Sequence, residues 1–473
     1  MSFKKKFYKD LLTLGSFSYL NQGINFLSTI IVSRFLVPEE YGLVALIAVF
    51  SGFVKMFTDS GLSYEIIRTD YRDTYYKSIN NLSFYIGIIF FAIMIILAYP
   101  ISYFYDDLSL FLPIVVMSFI FIPQNMITVP SAIISKNLKF KLRGIITLIS
   151  TILTVVLTII MAYSGASYWS LIIPQLISTV IVYFAFAKTS GFWVKIYSFK
   201  YTLIGFNHVK SLLGNMSGFN LINYWSRNAD NLLIGKFYGP ADLGVYNRAY
   251  RFITLSLSML AGLFGTILMP SLKKLILEGK RLDDEYFSIL GIISLMNYPI
   301  ALLLIGIPNY LVFILWGENW MEVAEIIPYF GVLILTQTLM STTGQVYVML
   351  NKEKILFRIG AASAIFMISG IVIGALFSVV DVARFYSLTF CSIILPLNFY
   401  FGFYKAFKFP FRRITIYWVP KILLSILLLV TIWIQMDILK LVILGLYGMH
   451  LGVIQHKDVT KGYYILKKRI FKN

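Results

Sequence analysis

Two apolar stretches of the sequence each carry polar side chains along one face of a predicted helix. Both sets follow the spacing i, i+3, i+7, i+10, which brings the side chains to one side of a helix. The members are Ser18, Asn21, Asn25 and Ser28 in the first stretch, and Asn220, Asn223, Arg227 and Asp230 in the second. Polar groups inside spanning helices usually face a bundle interior or a water-filled cavity. The pattern therefore predicts a central cavity lined by both helices, with charge supplied by the second.

The charged members of the second set separate two interpretations of this pattern. Serine and asparagine can simply join helices by interhelical hydrogen bonds, and Arg227 can neutralise Asp230 as a pair at i, i+3. However, an arginine at the centre of a spanning helix costs about 2.5–3.5 kcal/mol on insertion scales, and helix association needs no charge. We therefore favour a functional cationic site at Arg227.

Four further basic residues lie where few are expected. Arg248 and Arg251 lie near the outer end of a predicted helix, and Arg34 and Lys236 occupy related positions of a repeat described below. Long side chains that reach the interface explain Arg34 and Lys236 taken singly. Together the four residues form a surplus of positive charge on the side where lysine and arginine are normally scarce. Because a guanidinium binds phosphate through two hydrogen bonds, this surplus suits an anionic, phosphate-bearing cargo.

The composition indicates which elements must position these groups. Apolar residues make up 58% of the 473-residue chain and charged residues 13%, against about 45–50% and about 25% in soluble domains. The net charge of +19 is distributed between apolar segments, so it indicates membrane topology and not nucleic-acid binding. Cys391 and three histidines can build neither a disulfide framework nor a clustered zinc site. The sequence predicts an all-α polytopic membrane protein without a metal.

The spanning segments can be counted from hydropathy. A helix needs about 20 apolar residues to cross the hydrocarbon, and fourteen segments qualify. They are 14–36, 41–58, 79–99, 110–130, 145–163, 169–186, 209–235, 244–268, 287–306, 325–349, 359–379, 383–403, 417–435 and 438–454. With both termini in the cytoplasm, 33 of the 41 lysines and arginines are cytoplasmic, in agreement with the positive-inside rule. The exceptions are Arg34, Lys55, Arg227, Lys236, Arg248, Arg251, Arg384 and Lys440.

A decapeptide recurs at an offset of 202 residues. Residues 34–43, RFLVPEEYGL, align without gaps on residues 236–245, KFYGPADLGV, and the same offset superposes the two polar sets. Six spans per repeat is an even number, so the two halves run in the same direction. We predict a six-helix bundle over 1–186, a cytoplasmic linker over 187–208, a second six-helix bundle over 209–405, and two appended helices with a basic tail over 406–473. The linker either lies on the membrane surface or is a plain connecting loop.

The sequence carries no pattern that favours catalysis. It contains no G-x-x-x-x-G-K-[ST] motif, and so no P-loop. The acidic runs at 106–107 and 283–285 fall in predicted loops, where we expect solvated charge. The longest predicted outer connection, from Pro308 to Glu322, is too short to hold sugars for a polymerase or ligase. The chain is therefore expected to be a transporter and not an enzyme.

Several motifs resemble the polysaccharide-transporter branch of the multidrug/oligosaccharidyl-lipid/polysaccharide exporter superfamily, which includes Wzx-type flippases. They are SRFLVPEEYG at 33–42, NLKF at 137–140, YWSL at 168–171, NADNLLIGKF at 228–237 and GVYNRAY at 244–250. The block from 228 to 250 is the most specific. The resemblance covers about residues 10 to 405, and the last two predicted helices carry no recognisable motif.

The resemblance implies a MATE-like fold with two six-helix bundles around a central cavity. It also implies that the cargo is an undecaprenyl-pyrophosphate-linked oligosaccharide, moved from the cytoplasmic to the outer leaflet of the bacterial inner membrane by alternating access. The pyrophosphate would be held by Arg227, Arg248, Arg251 and Arg34, and the sugars by Asn21, Asn25, Asn220, Asn223 and Asp230. No cofactor is implied, although a proton or sodium gradient can drive such movement. The expected partners are the lipid-linked glycan, the bilayer, a glycan polymerase and glycosyltransferases.

Three other functions remain open. A cation-coupled multidrug exporter needs buried carboxylates, and Asp230 is the one confident candidate inside the spans. A lipid II flippase of the murein type shares a cationic cavity, although the block at 228–250 disfavours it. A membrane scaffold for glycan assembly, without transport of its own, gives no reason for Arg227.

Overall fold

The computed structural model describes residues 3–58, 62–68, 73–195, 197, 199–277, 281–456 and 458–460. These residues form helices joined by short turns, which we number in chain order. The first eight are α1 Phe3–Val32, α2 Pro38–Thr58, α3 Leu62–Arg68, α4 Asp73–Phe104, α5 Leu108–Lys136, α6 Phe140–Tyr163, α7 Trp169–Ser190 and α8 Phe199–Phe237. The others are α9 Gly239–Leu277, α10 Leu282–Gly306, α11 Pro308–Trp316, α12 Val323–Met349, α13 Glu353–Gly374, α14 Val379–Ala406, α15 Phe411–Trp433 and α16 Asp437–Met449.

In the described residues, nine helices are long and apolar enough to cross a membrane. They are α4, α5, α6, α7, α10, α12, α13, α14 and α15. Each of the fourteen predicted spans overlaps a helix, and the prediction of an all-α polytopic membrane protein is confirmed. The number of fourteen spans is not confirmed, since α1, α2, α8, α9 and α16 overlap predicted spans but are not among these nine helices.

The chain divides into two compact units, unit 1 from Met1 to Gly244 and unit 2 from Val245 to Asn473. In unit 1, α6 packs on α1 and α7, and α5 packs on α4 and α7. In unit 2, α12 packs on α10, α14 and α15. Within the most apolar stretch of each helix, 83% of the residues of α12 are buried, whereas only 17% of those of α6 are. Therefore α12 is the core helix of its unit, and α6 leaves most of its surface for the hydrocarbon.

The segment 187–208, predicted as a linker, is largely taken up by the two helices that it joins. Helix α7 continues to the start of this segment and α8 begins within it, so that only 191–198 lies between them. Asn81 of α4 holds the segment: its Nδ2 donates to Thr202 Oγ1 at 2.7 Å and its Oδ1 accepts from the Tyr197 backbone N–H at 3.2 Å. The segment is thus fixed to the first turns of α4.

Both copies of the repeated decapeptide lie at a junction between two helices, α1 with α2 and α8 with α9. Each copy has a proline in the first turn of the second helix and a glycine four residues later. A Cβ on Gly42 would lie 1.6 Å from the carbonyl oxygen of Pro240, and a Cβ on Gly244 would lie 2.0 Å from that of Pro38. Within unit 1, the glycine of each copy therefore contacts the proline of the other. Only glycine permits this reciprocal approach of the backbones.

The prediction that the acidic run at 283–285 is solvated loop charge is wrong. Helix α10 begins at Leu282, where carboxylates are stabilised by the helix dipole. Asp283 is buried, and its carboxylate pairs with Arg281 at 2.6 Å and with Arg413 at 3.2 Å. Arg413 also pairs with Asp284 and, at 2.9 Å, with Asp458. The run is therefore part of an ion-pair network that ties α10 to α15 and to the chain beyond α16.

Candidate functional site

Unit 1 contains a polar cavity of about 500 Å³ among five helices. The described residues that line it are Lys55 of α2, Ser63 of α3, Ile120, Gln124, Ile127, Thr128 and Ser131 of α5, Arg143, Thr147 and Ser150 of α6, and Gln175, Thr179, Val182 and Phe186 of α7. Most of these side chains are polar although the helices that carry them are strongly apolar. Such a concentration of polar groups within a membrane-embedded unit indicates a binding site.

Helical spacing explains how α6 contributes to this cavity. Arg143, Thr147 and Ser150 are spaced i, i+4, i+7 and so share one face, which lines the cavity. The exposed Ile149, Ile152, Val156 and Ile160 lie on other faces of the same helix. Because hydrocarbon accepts no hydrogen bonds, the apolar side chains face outwards and the polar ones face inwards. Gln124, Thr128 and Ser131 repeat the polar spacing on α5.

Arg143 lies beside a close contact between α6 and α1. A Cβ on the adjacent Gly144 would come within 2.3 Å of the Phe17 ring, so the glycine allows α6 to approach α1 closely. The Arg143 side chain is anchored to α5, where its Nη1 donates a 2.6 Å hydrogen bond to Ser135 Oγ. A guanidinium carries five N–H donors, so this anchor leaves donors for a ligand.

The cavity is positively charged. Lys55 and Arg143 are its charged side chains, and none of the described lining residues is acidic. In surroundings of low dielectric constant, two cations with no acidic residue in the described lining attract an anion strongly. The charge of the lining therefore suits an anionic ligand and disfavours a cationic one.

The uncharged lining residues complement a ligand rich in hydroxyl groups. Thr147 Oγ1 donates to the Arg143 carbonyl at 3.1 Å, and Thr179 Oγ1 donates to the Gln175 carbonyl at 2.7 Å. Since these hydroxyl protons point to the backbone, their oxygen lone pairs can accept hydrogen bonds from a ligand. The amides of Gln124 and Gln175 supply both donors and acceptors. A phosphorylated sugar fits this combination of cations, hydroxyls and amides.

The predicted topology assigns the cavity a side of the membrane. Lys55 lies within α2 near its end, and Arg143 lies within α6 near its start. The predicted topology places this end of α2 and this start of α6 at the cytoplasmic side of the membrane. Ser150 lies ten residues beyond the start of α6, or about 15 Å along the helix axis. In this orientation the cavity extends from the cytoplasmic surface to about the middle of the bilayer.

The sequence-predicted site residues of unit 1 lie elsewhere in that unit. Asn21 is half-buried and its Oδ1 has no hydrogen-bond partner among the described residues, whereas Asn25 is exposed. Arg227 is exposed, and Asp230 is buried with its Oδ1 accepting from the Asn231 backbone N–H at 2.8 Å. The structure, which describes both side chains, contains no Arg227–Asp230 ion pair, so the two residues do not neutralise each other. The side chains of Asn220 and Asn223 lie outside the described residues.

The predicted arginines of the outer side differ in burial. Arg34 lies exposed in the turn after α1 of unit 1. In unit 2, Arg251 is exposed, but Arg248 is buried with only 6% of its surface accessible. The Arg248 guanidinium lies over the indole rings of Trp320 and Trp316, at 4.4 Å and 5.3 Å from their centroids. Within this unit Arg248 is thus an internal contact between α9 and the segment that follows α11.

We expect Arg248→Ala to destabilise unit 2 by about 2 kcal/mol, the amount typical of a desolvated cation–π contact. Arg251→Ala removes an exposed arginine three residues away and should change stability by less than about 0.5 kcal/mol. Thermal unfolding of the two detergent-solubilised variants measures the difference. Equal losses in the two would show that the indole contacts of Arg248 contribute nothing.

Three of the other exceptional basic residues have acidic partners. Lys236 pairs with Asp106 at 2.6 Å, and Lys440 pairs with Asp437 at 2.6 Å. Arg384 pairs with Asp381 and lies over the Trp433 ring, 4.9 Å from its centroid. These local pairs account for basic residues outside the cytoplasmic segments, and none of the three lines the cavity of unit 1.

Sequence reasoning missed two basic residues that the structure brings to notice. Arg143 and Lys421 were both counted as cytoplasmic, yet Arg143 lines the cavity and Lys421 is fully buried in α15. The i, i+4, i+7 spacing of polar residues on α5 and α6 was a signal for the first. Lys421 follows Pro420 and precedes an apolar run that begins at Ile422. At such a position hydropathy cannot distinguish a residue at the end of a helix from a residue buried within the protein.

Comparison with solved structures identifies the fold. The fold is similar to that of the lipid II flippase MurJ in an inward closed conformation, with a TM-score of 0.70 and 16% identity over 95% of this chain and 100% of that chain. It is also similar to an inward-facing multidrug resistance MATE family transporter of the MOP superfamily, with a TM-score of 0.61 and 12% identity over 84% of this chain and 99% of the other. The chain therefore shares its fold with these two multi-pass membrane proteins.

The family follows from the sequence match. The family model described as polysaccharide biosynthesis protein matches residues 31–325, more than half of the chain, and the chain belongs to this family. This match confirms the resemblance that the motifs predicted.

Relatives similar to this chain come from several bacteria. The chain is 26% identical over 308 residues to a membrane protein in the cps region of Klebsiella pneumoniae, and 21% identical over 309 residues to the teichuronic acid biosynthesis protein TuaB of Bacillus subtilis. These alignments cover 63% and 64% of this chain but only 62% and 63% of those proteins. It is also 20% identical over 357 residues to the lipopolysaccharide biosynthesis protein WzxC of Escherichia coli, covering 74% of this chain and 72% of that protein.

Proposed function

We propose that this protein is a flippase that moves an undecaprenyl-pyrophosphate-linked oligosaccharide from the cytoplasmic to the outer leaflet of a bacterial inner membrane. The observation that carries the proposal is the cavity of unit 1, which combines two cations with hydroxyl and amide groups and has no acidic residue among its described lining. The cations fit the pyrophosphate, the polar lining fits the sugars, and the polyprenyl tail stays in the lipid. The polysaccharide names of the relatives agree with such a cargo.

The predicted arginines and asparagines extend this proposal. Arg227, Arg248, Arg251 and Arg34 are proposed to contact the pyrophosphate, and Asn21, Asn25, Asn220, Asn223 and Asp230 the sugars, at stages of alternating access. A proton or sodium gradient is proposed to drive the movement, with both termini in the cytoplasm. A glycan polymerase and glycosyltransferases would act on either side of the transport step.

The direct test is the position of the lipid-linked glycan in cells that lack this protein. We expect lipid-linked oligosaccharide to accumulate in the cytoplasmic leaflet and surface glycan to disappear, with both reversed by the wild-type gene. Accumulation of lipid II instead would replace the proposal with a murein-type flippase. A change only in sensitivity to cationic drugs would replace it with a multidrug exporter.

We predict that Arg227→Ala abolishes surface glycan while the protein remains folded in the membrane. Arg227 is exposed and, among the described residues, is not paired with Asp230, so its loss removes a cation without removing an ion-pair partner from the buried Asp230. The measurement is surface glycan per cell, normalised to the amount of protein in the membrane. Arg358→Ala is the matched control, because Arg358 is also exposed but lies outside every predicted site. Wild-type glycan in Arg227→Ala cells would remove this residue from the site.

A further inference from the structure

Unit 2 contains a buried polar cluster that the cargo site does not use. Its centre is Lys421 of α15, about 15 Å along the axis from the start of that helix. The side chain is fully buried, and Nζ donates a 2.7 Å hydrogen bond to Ser294 Oγ of α10. The amine also lies 4.1 Å from the centroid of the Tyr417 ring. A lysine at this depth in a spanning helix is rarely structural.

The charge of Lys421 is not neutralised by direct pairing. In the described part of the chain, no carboxylate forms an ion pair with the amine. The Lys421 amine interacts electrostatically with Asp458, whose carboxylate is itself paired with Arg413 at 2.9 Å. An ammonium has three donors, and the described surroundings supply one hydrogen-bond acceptor, Ser294, and the faces of two aromatic rings, Tyr417 and Trp418. Lys421 can therefore gain or lose a proton without breaking an ion pair.

Two other polar atoms in this region lack partners. Ser425 Oγ and Gln455 Oε1 are buried without a hydrogen-bond partner among the described residues. Gln455 Nε2 lies 3.1 Å from His450 Nε2, and His450 interacts electrostatically with Lys421. Buried polar groups are normally satisfied by protein or by ordered water. The unsatisfied atoms indicate room for exchangeable hydrogen-bond partners beside the amine.

Helix α10 connects the cluster to the ion-pair network at its cytoplasmic end. A Cβ on Gly291, one turn before Ser294, would lie 3.2 Å from the Val459 backbone nitrogen. The chain around Asp458 therefore packs against the same face of α10 that carries Ser294. The titratable groups around the amine and the Tyr417 hydroxyl are Tyr286 of α10, Tyr447 of α16, His450 and Asp458.

We propose that Lys421 is an exchangeable-proton site, filled from the cytoplasmic side by way of Asp458 and supported by Ser294, Tyr417 and His450. One proton binds to the amine and leaves from it, with no other group consumed. The site lies in the helix pair α15 and α16, which has no counterpart in the sequence repeat. The statement that this proton drives transport rests on the proposed flippase function. The statement that Lys421 binds and releases a proton is independent of that function.

The test uses the purified full-length protein in proteoliposomes on a solid-supported membrane, without any cargo. A rapid pH jump should produce a transient charge displacement in the wild-type protein, because protons bind within the membrane dielectric. Lys421→Met removes the site and should lose this current. Lys421→Arg keeps the charge but does not release its proton, and should lose the current as well.

Lys440→Met is the matched control, since this lysine of α16 pairs with Asp437 outside the cluster, and it should retain the current. Wild-type currents in Lys421→Met or Lys421→Arg would overturn the proposal. If Lys421→Met does not fold, Ser294→Ala serves instead, because it keeps the lysine and removes its acceptor. It should shift the pH of half-maximal charge displacement, and an unchanged value would overturn the proposal.

The flipping assay separates this inference from the proposed function. Currents that depend on Lys421 in a protein that does not move lipid-linked glycan would leave the proton site standing and remove the flippase. If the wild-type protein flips lipid-linked glycan but the Lys421→Met variant gives unchanged currents, the flippase function stands and the proton site at Lys421 is excluded.

Discussion

Arg143→Glu should abolish export of surface glycan. A charge-assisted hydrogen bond contributes about 1.5–3 kcal/mol, so its loss alone reduces binding about tenfold or more. The new carboxylate also offsets the charge of Lys55 in the same lining and repels the proposed pyrophosphate. We expect surface glycan to fall to the level of cells without the protein, while the amount of protein in the membrane stays the same.

Graded substitutions show whether charge or shape causes this loss. Arg143→Lys keeps the charge without the bidentate geometry and should retain part of the activity. Arg358→Glu is the matched control, because Arg358 is exposed near the start of α13, on the same predicted side of the membrane, and does not line the cavity. It should transport normally. Full export by Arg143→Glu would exclude the cavity of unit 1 from the path of the cargo.

Gly42→Ala should destabilise the protein by about 3 kcal/mol, the upper end of the usual cost of overpacking. The added Cβ would lie 1.6 Å from the Pro240 carbonyl oxygen, and a backbone atom cannot rotate away as a side chain can. Gly244→Ala should have a similar effect through Pro38, where the distance is 2.0 Å. The measurement is thermal unfolding of the purified protein in detergent.

Gly23→Ala is the control for the change of residue type alone. It lies in α1 with nothing within 4 Å of an added Cβ, and should stabilise the helix by about 0.5–1 kcal/mol. The double variant Gly42→Ala/Gly244→Ala tests whether the contact is reciprocal. Once one substitution has separated the two helix starts, the second should cost less than it does alone. Costs that simply add would show that the two glycines act independently.

The repeat and the acidic run show what sequence pattern can and cannot decide locally. The 202-residue offset revealed two copies of the decapeptide, and both copies lie at helix junctions. Sequence could predict these junctions because proline restricts the backbone at its own position. Which atoms those glycines meet depended on packing between the copies. In the same way, the charge of Asp283 was visible in the sequence, but its burial against Arg413 came from the approach of α15 to α10.

The sequence by itself determined the membrane class, the helical architecture and the family, because hydropathy, helical period and motifs are properties of short segments. It identified charged residues within apolar segments but could not assign their surroundings. Tertiary structure alone decided that Arg143 lines a cavity, that Arg248 lies between two indoles and that Lys421 is fully buried. The physical reason is that burial and charge pairing depend on which helices become neighbours, and those neighbours are distant in the sequence.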